Sequence, residues 1–451
     1  MAILPNIPAE IFGEIFYLVL RGPISNNQES LFPWNLGRVC KSWRHAFVTY
    51  PKLWAFISLD VITVDDDANL EKICNRFLLC LQRSGNHPLS LILCAREKID
   101  GDQRSPWMQA WKAFLSCSQR WKNIVLYGEA LQFRDLTIEC KGGFPLLQSF
   151  TLCSYKHSAC DAFHDAPRLT QFGLVYYENL PVSHAWSFPL SQLTKFTLAM
   201  NGISSDALQV LLENLHNIQE LCFKASGCNW TPDISPFPPR YLEHLRVLEV
   251  HYVQILQVIK APSLVELRLE TASDIYPVGE DGYEMFDFYR KVVEAFIELS
   301  SCHLRKLVLT GFLIEQTKPL INSFPNLEEL CIDERYEFSC ALLGPLNDDA
   351  SSFNEELEST AFPNLRILTL NCESCRTEDI IGVLTGILEF RNGVYIGKPS
   401  IQLRPLEKII IKRRHAWHPV PDFYDSKPIP DELEDAMLEW APFKVEVKFD
   451  Q

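Results

Sequence analysis

An alternating pattern of apolar and polar residues recurs along the chain after residue 120. Each copy reads L-x-x-[L/I/F]-x-apolar, often after a proline, as in PNLEELCI and PNLRILTL. Seven of the ten steps between copies are 19 to 27 residues long, which predicts a repeating structural unit. The first apolar position of each copy falls at Trp121, Leu147, Leu169, Leu193, Ile218, Leu245, Leu264, Leu304, Leu327, Leu365 and Leu406.

Each copy predicts one strand with a single apolar face. In LTKFTL, Phe196 and Leu198 share one face while Lys195 and Thr197 point the other way, because successive side chains of a strand alternate. One such strand cannot bury its face alone, so neighbouring copies must stack into a parallel sheet. A period of about 20 to 29 residues is typical of a leucine-rich-repeat solenoid.

Amphipathic segments between the strands predict a second layer of helices. The segment 204–215 begins with a serine cap and places its leucines at helical spacing, and segments 283–299 and 377–390 follow the same pattern. Strand and helix therefore alternate. The predicted fold class is α/β: a small N-terminal helical domain, then an irregular leucine-rich-repeat horseshoe with a parallel sheet on its concave side.

The solenoid is predicted to begin before the clearest repeats and to end in a cap. We therefore divide the chain into a helical domain at 1–54 and a solenoid at 55–451 that includes a C-terminal cap, since an open array needs its last edge covered. The supporting patterns are strands at 53–61 and 87–95, helices at 70–81 and 105–115, a short acidic helix at 430–438 and a strand at 443–449.

In a horseshoe, the strand residues that flank the buried ones line the concave face. We expect these positions to contact a target protein, although the long inserted loops at 272–283 and 335–362 are alternative recognition elements. The candidate target-binding residues are Lys195, Glu220, Glu249, Glu266, Arg268, Lys306, Val308, Glu329, Ile367, Lys408 and Ile410.

Two short apolar stripes precede the repeats. They read IPAEIFGEIF (7–16) and VCKSWRHAF (39–47), followed by PKLW (51–54). Their order and spacing resemble the F-box found at the N-terminus of large fungal protein families. The connecting segment 21–34 is longer than is usual for that motif. The matching positions are Ile7, Pro8, Glu10, Ile11, Ile15, Phe16, Val39, Cys40, Trp43, Arg44, Pro51, Leu53 and Trp54.

The resemblance implies that these helices dock on the Skp adaptor of a cullin-based ubiquitin ligase. Val39, Trp43 and Trp54 are also expected to hold the small helices together. An alternative is that residues 1–50 simply cap the solenoid, and periodicity does not separate the two interpretations. The candidate adaptor-binding residues are Ile7, Pro8, Glu10, Ile11, Ile15, Phe16, Val39, Cys40, Trp43, Leu53 and Trp54.

Composition limits the kinds of molecule that the protein is expected to bind and the cellular compartments in which it is expected to occur. A formal charge of −15 argues against binding to nucleic acid or to an anionic membrane, and the basic run at 412–415 is short. No apolar stretch approaches the ~20 residues that span a bilayer, and no secretory signal is visible. Fifteen cysteines without framework spacing are typical of reduced thiols in the cytosol or nucleus.

Candidate catalytic and metal chemistry is weak. Cys153, His157, Cys160 and His164 are close in sequence, but on a helix they would be too collinear to surround a zinc ion. The motifs of hydrolases, P-loop proteins and zinc proteases are absent from the sequence. The sequence therefore predicts no catalytic residues, no metal and no cofactor. Together with the F-box resemblance, this implies a non-catalytic substrate-recognition subunit of an SCF-type cullin ubiquitin ligase. The alternative is a non-ligase interaction scaffold that uses the repeat solenoid.

Overall fold

A computed structural model provides the structure of the chain. The residues it describes are 7–19, 24–25, 35–61, 67–94, 105–127, 140, 143–153, 162–175, 189–200, 203–225, 237–270, 281–311, 320, 324, 326–334, 364–372, 407–413 and 446–450. Within these residues, no helix has the length and apolar character needed to cross a membrane.

Helices and strands alternate along the described residues. The α-helices are α1 (Ala9–Val19), α2 (Leu36–Val39), α3 (Lys41–Thr49), α4 (Asp67–Arg83), α5 (Pro106–Ser116), α6 (Ser205–Asn214) and α7 (Asp281–Ser300). Short 3-10 helices lie at Pro51–Trp54, Ser118–Arg120, Ala162–Asp165, Leu190–Gln192 and Val253–Val258. The strands are β1 (Ile24–Ser25), β2 (Phe56–Asp60), β3 (Leu89–Cys94), β4 (Trp121–Tyr127), β5 (Ser149–Cys153), β6 (Gln171–Val175), β7 (Lys195–Met200), β8 (Glu220–Ala225), β9 (Arg240–Tyr241), β10 (Val247–Val250), β11 (Ile259–Lys260), β12 (Glu266–Glu270), β13 (Lys306–Thr310), β14 (Glu329–Glu334), β15 (Ile367–Cys372), β16 (Lys408–Arg413) and β17 (Glu446–Asp450).

The chain divides into two compact units, Met1–Ile218 and Gln219–Gln451. In the first unit, β1 to β7 pair in parallel, each with the next strand along the chain. In the second unit, β8, β10 and β12 to β17 pair in the same way, and β9 pairs with β11 separately. The α/β class, the parallel sheet and the solenoid-like stacking are therefore confirmed. The concave curvature and the domain boundary after residue 54 stay predictions.

The strand register of the first unit places its core residues in two rows that run across neighbouring strands. Equivalent positions of the repeats face one another, so each apolar side chain is covered by its counterparts on the adjacent strands. All of these side chains are buried. One row is Ile57, Leu91, Ile124, Phe150, Phe172 and Phe196, and the other is Leu59, Leu93, Leu126, Leu152, Leu174 and Leu198.

The second unit has the same two rows. The apolar positions predicted from the repeat are buried here as well, which confirms the repeat assignment in both units. Its rows are Leu221, Leu248, Leu267, Leu307, Leu330, Leu368 and Ile409, and Phe223, Val250, Leu269, Leu309, Ile332 and Leu370.

The connections between strands build the second layer of each unit. The predicted helices correspond to α4, α5, α6 and α7, and Ser105 and Ser204 cap α5 and α6 through their side-chain oxygens. Between β5 and β6, the connection instead carries a 3-10 helix whose Phe163 is fully buried.

Some predictions fall outside the described residues. They concern the helices at 377–390 and 430–438, the whole loop at 335–362, most of the loop at 272–283, Leu406, and the pair His157 and Cys160. The C-terminal strand predicted at 443–449 is present as β17, paired in parallel with β16.

Truncating a core side chain tests the repeat architecture. Leu267 lies in the middle of one core row and is fully buried. We expect Leu267→Ala to lower the free energy of unfolding by about 2 to 5 kcal/mol in denaturant titration, because it opens a cavity between stacked strands. As a control, Leu299→Ala removes the same atoms from a residue of the same unit that is 40% exposed, and should cost about 1 kcal/mol or less. Equal costs for the two variants would contradict the stacked core.

Candidate functional site

The helices that precede the repeats build a small aromatic core of their own. The ring of Phe16 on α1 lies 5.0 Å from the ring of Trp43 on α3, and Phe12 lies 6.1 Å from the same ring. Phe47 packs against Trp54 at 4.7 Å, and the indole nitrogen of Trp54 donates a 2.9 Å hydrogen bond to the Phe47 carbonyl. These contacts fix α1 and α3 against the 3-10 helix that leads into β2.

This core corrects part of the adaptor-binding prediction. Phe16, Leu53 and Trp54 are buried within the chain, so their side chains offer no surface to another protein. The sequence pattern marks them as apolar, but it does not separate apolar residues that pack internally from those that pack on a partner. Their role is to position α1 and α3.

A second apolar face of the same helices is exposed. Ile11 is 51% exposed, Ile15 is 45% exposed and Leu18 is 70% exposed, and they follow one another at helical spacing along α1. Val19 at the end of α1 is 56% exposed, and Val39 at the end of α2 is 62% exposed. We refer to the four residues of α1, Ile11, Ile15, Leu18 and Val19, as the exposed apolar face. A helix that is apolar on both sides is expected to be covered on both sides.

The remaining predicted adaptor residues lie around the front helices. Pro8 and Glu10 are exposed at the start of α1, whereas Ile7 and Trp43 are half-buried. The sulfur of Cys40 accepts a 3.5 Å hydrogen bond from the Trp43 backbone and caps α3.

The structure changes two points of the sequence interpretation of the front helices. Val39 does not hold the helices together as predicted, because its side chain points into solvent rather than into the aromatic core. Leu18 and Val19 also belong to the exposed apolar face, and the sequence interpretation omitted them. The spacing of four and then three residues from Ile11 through Ile15 to Leu18 would have identified Leu18.

Polar contacts also hold α1 in place. The Tyr50 hydroxyl donates a hydrogen bond to Glu14 Oε1, and the Lys52 ammonium lies 3.1 Å from Glu14 Oε2. Lys52 also lies 4.1 Å from the centre of the Tyr17 ring. Gly13 presses directly on Tyr50, since a Cβ atom there would lie 2.3 Å from the ring carbon Cγ. The helix thus needs a residue without a side chain at this position.

The contact with Tyr50 changes the acidity of both groups. Hydrogen bonds from Tyr50 and Lys52 lower the pKa of the Glu14 carboxyl below its ordinary value of 4.5. The carboxylate in turn raises the pKa of Tyr50 to about 12. Glu14 is therefore charged, and Tyr50 is protonated, throughout the neutral range.

The predicted target-binding residues lie on the face of each sheet that is opposite the core. Their role in binding a target stays a prediction. They alternate with the buried residues along β7, β8, β10, β12, β13, β14, β15 and β16, and the group comprises Lys195, Glu220, Glu249, Glu266, Arg268, Lys306, Val308, Glu329, Ile367, Lys408 and Ile410.

In the second unit, an ion-pair network crosses this polar face from strand to strand. Lys224, which the sequence interpretation did not select, lies 2.8 Å from Glu249. Arg268 lies 2.6 Å from Glu266 and 3.4 Å from Glu249. Lys306 then lies 3.3 Å from Glu266, which joins β12 to β13. The charges on this face therefore compensate one another locally.

Burial alone would raise the pKa of the Glu249 carboxyl, but Lys224 and Arg268 together lower it. The neighbouring Cys222 behaves differently, because burial raises the pKa of its thiol well above the ordinary value. At neutral pH, this face consequently carries charged carboxylates beside an uncharged thiol.

Toward the C-terminal strands the same face becomes less charged. One row of facing residues consists of Val308, Cys331, Thr369 and Ile410, and all four are half-buried. The adjacent row places Ile367 between Glu329 and Lys408. An apolar strip thus follows the ion-pair network along the sheet.

The chain matches no family model and no curated protein. Solved structures do match, among them the structure described as the crystal structure of the Rad7 and Elc1 complex in yeast. The matching chain is 14% identical, with a TM-score of 0.37, and the match covers 80% of this chain and 88% of that one. A likeness at this level indicates no function for this chain.

Adding a side chain at Gly13 tests how α1 is held. Gly13→Ala forces Tyr50 away, because three ring atoms lie within 2.6 Å of the new Cβ atom. We expect faster amide hydrogen exchange in α1 and a lower melting temperature. Gly37→Ala on α2 is the matched control, because its Cβ would lie 3.3 Å from the Phe47 ring and requires only a small adjustment. Unchanged exchange in α1 for Gly13→Ala would contradict the contact.

The lowered pKa of Glu14 predicts a dependence on pH. A carboxyl group with a lowered pKa stabilises the folded state above its unfolded pKa, and this stabilisation is lost as the pH falls through the folded pKa. We expect amide protection of α1 to be constant between about pH 7 and 5 and to weaken below the ordinary value of 4.5. Glu14→Gln should remove this part of the acid response, and an identical response in the variant would contradict the assignment.

Proposed function

We propose that this chain is the non-catalytic substrate-recognition subunit of an SCF-type ubiquitin ligase. The exposed apolar face docks on the Skp adaptor and, through it, on a cullin. The solenoid binds a target protein. The observation that carries the proposal is the exposed apolar face, which lies on α1, one of the helices whose sequence resembles an F-box.

The apolar residues of the front helices fall into a buried group and an exposed group, and this separation supports the assignment. The front helices already satisfy their own packing through Phe16, Trp43, Phe47 and Trp54, which are buried or half-buried. The second stripe is therefore not needed to close the internal core. Covering several aliphatic side chains with a partner gains about 25 cal/mol for each Å² of apolar surface removed from water.

If the front helices served only as a cap for the repeats, this role would explain the burial of one side of them and not the apolar residues on the other side. Trp54 and the 3-10 helix at Pro51–Trp54 join the front segment to β2, and Arg83 of α4 stacks over the Trp54 ring at 4.6 Å. The first unit thus covers the Trp54 side, while Ile11, Ile15 and Leu18 stay in solvent. Adaptor docking accounts for the side that capping leaves uncovered.

In this mechanism the chain contributes proximity rather than chemistry. Holding a lysine-bearing target beside a ubiquitin-charged enzyme converts a bimolecular reaction into one within a single assembly. The polar face of the strands supplies the proposed target surface, with the ion-pair network for polar contacts and the strip from Val308 to Ile410 for apolar ones. The assembly would act in the cytosol or the nucleus.

Charged substitutions on the exposed apolar face test the proposal. We expect Ile11→Asp combined with Ile15→Asp to abolish capture of purified Skp adaptor, because the complex would bury unpaired carboxylates. The melting transition should change little, since both residues are about half exposed. The measurement is a binding titration with the adaptor beside a thermal melt.

Val210→Asp is the matched control, because Val210 is 41% exposed on α6, another helix of the first unit. Its adaptor affinity should equal that of the wild type. Undiminished binding by the double variant would overturn docking through this face. Adaptor binding without recovery of cullin from cells would instead favour a scaffold outside a ligase.

A further inference from the structure

Three potential metal ligands converge on the polar face of the second unit. One ligand atom from each of Glu249, His251 and Glu270 lies within 4.8 Å of the other two. Glu249 belongs to β10, His251 follows that strand directly, and Glu270 ends β12. The three side chains are mostly shielded from solvent, with exposures of 16%, 9% and 18%.

The parallel register brings these residues together. Glu249 faces Arg268, and Val250 faces Leu269. In the same register, His251, which follows β10, lies beside Glu270, the last residue of β12. Side chains two apart on a strand share a face, which puts Glu249 and His251 on the same side as Glu270. The arrangement is thus a direct consequence of the paired strands.

The His251 ring contributes the observation that indicates a ligand. Its Nε2 atom is buried and lies 2.8 Å from Glu270 Oε2, yet it makes no hydrogen bond. This separation is that of an ion pair and is slightly shorter than the spacing of two ligands of one metal ion, so binding of an ion would move the two groups apart by about 0.2 to 0.7 Å. Around a tetrahedral zinc ion, ligand atoms lie about 3 to 3.5 Å apart and point at the ion rather than at one another.

The charges nearby are compatible with an added cation. In the network, the three cations Lys224, Arg268 and Lys306 pair with the three carboxylates Glu249, Glu266 and Glu329. Glu270 brings a fourth carboxylate, which has the His251 ring beside it and acts on Lys224 at longer range.

Lys224 and Arg268 compete with a metal for Glu249, but Arg268 is closer to Glu266, at 2.6 Å, than to Glu249, at 3.4 Å. One oxygen of Glu249 therefore has only a long contact with a protein cation. Lys224 would then hold the other oxygen and orient the carboxylate, as outer contacts of metal ligands commonly do.

We infer that Glu249, His251 and Glu270 form a divalent-cation site suited to Zn²⁺. One imidazole nitrogen and two carboxylate oxygens are ligands that zinc accepts at about 2.0 to 2.2 Å, with water completing the tetrahedron. The bound ion would cross-link β10 to β12 at their carboxyl ends. This site is independent of the proposed adaptor docking.

Zinc titration of the chelator-treated full chain tests the inference. We expect one zinc ion at this site and a melting temperature that rises with zinc concentration, because the ion binds the folded state. His251→Ala and the isosteric Glu270→Gln should each weaken this binding by more than about tenfold, as removing a direct ligand costs at least as much as removing an outer contact. Circular dichroism checks that each variant is folded, and Glu270→Gln decides the test where His251→Ala does not fold.

His244→Ala is the matched control, because His244 is exposed in the segment before β10. It should bind zinc like the wild type. Since the chain has fifteen cysteines, Co²⁺ substitution separates the sites: this site should give no thiolate-to-cobalt absorption in the near ultraviolet. Absence of zinc binding, or binding that both ligand variants retain at full affinity, would overturn the inference.

Discussion

The fold depends on the inability of a single repeat to cover its own apolar strand face. Each strand from β2 to β8, and each of β10 and β12 to β15, carries at least two buried side chains on one face, and the neighbouring strands of the sheet cover them. The register therefore cannot slip: a shift of one residue would turn the core side chains to the polar face and bring the ion-pairing residues inside. This constraint aligns Phe150, Phe172 and Phe196 with one another, and it equally sets which charges meet on the opposite face.

The front helices follow different packing rules. Their aromatic core forms among the rings of short helices, Phe16, Trp43, Phe47 and Trp54, whereas the core of the repeats forms between equivalent positions of successive strands. Under the proposed function, the aliphatic stripe that this segment leaves exposed binds a second protein, the adaptor. Apolar residues of the same kinds thus either pack inside the segment or remain exposed, and the contacts of each side chain decide between the two.

The sequence predicted the strands, the parallel stacking and the buried positions because a two-residue alternation and a fixed period determine them. It did not separate Phe16 from Ile11, because both are apolar at helical spacing and only the position of Trp43 makes one internal. Nor did it identify Glu249, His251 and Glu270 as a group. Nineteen residues of sequence separate Glu249 from Arg268, its partner across the strands (268 − 249), and no local motif records that pairing.

The contacts that hold α1 against Tyr50 and Lys52 have a mechanical consequence. Gly13, Glu14 and Lys52 fasten the helix to the short segment that continues directly into β2, so no hinge separates the exposed apolar face from the first strands. A protein docked on that face would move as one body with the start of the repeats. In a ligase, such stiffness confines a captured lysine to a small volume and raises its effective concentration near the ubiquitin donor, whereas a loose joint would dilute it.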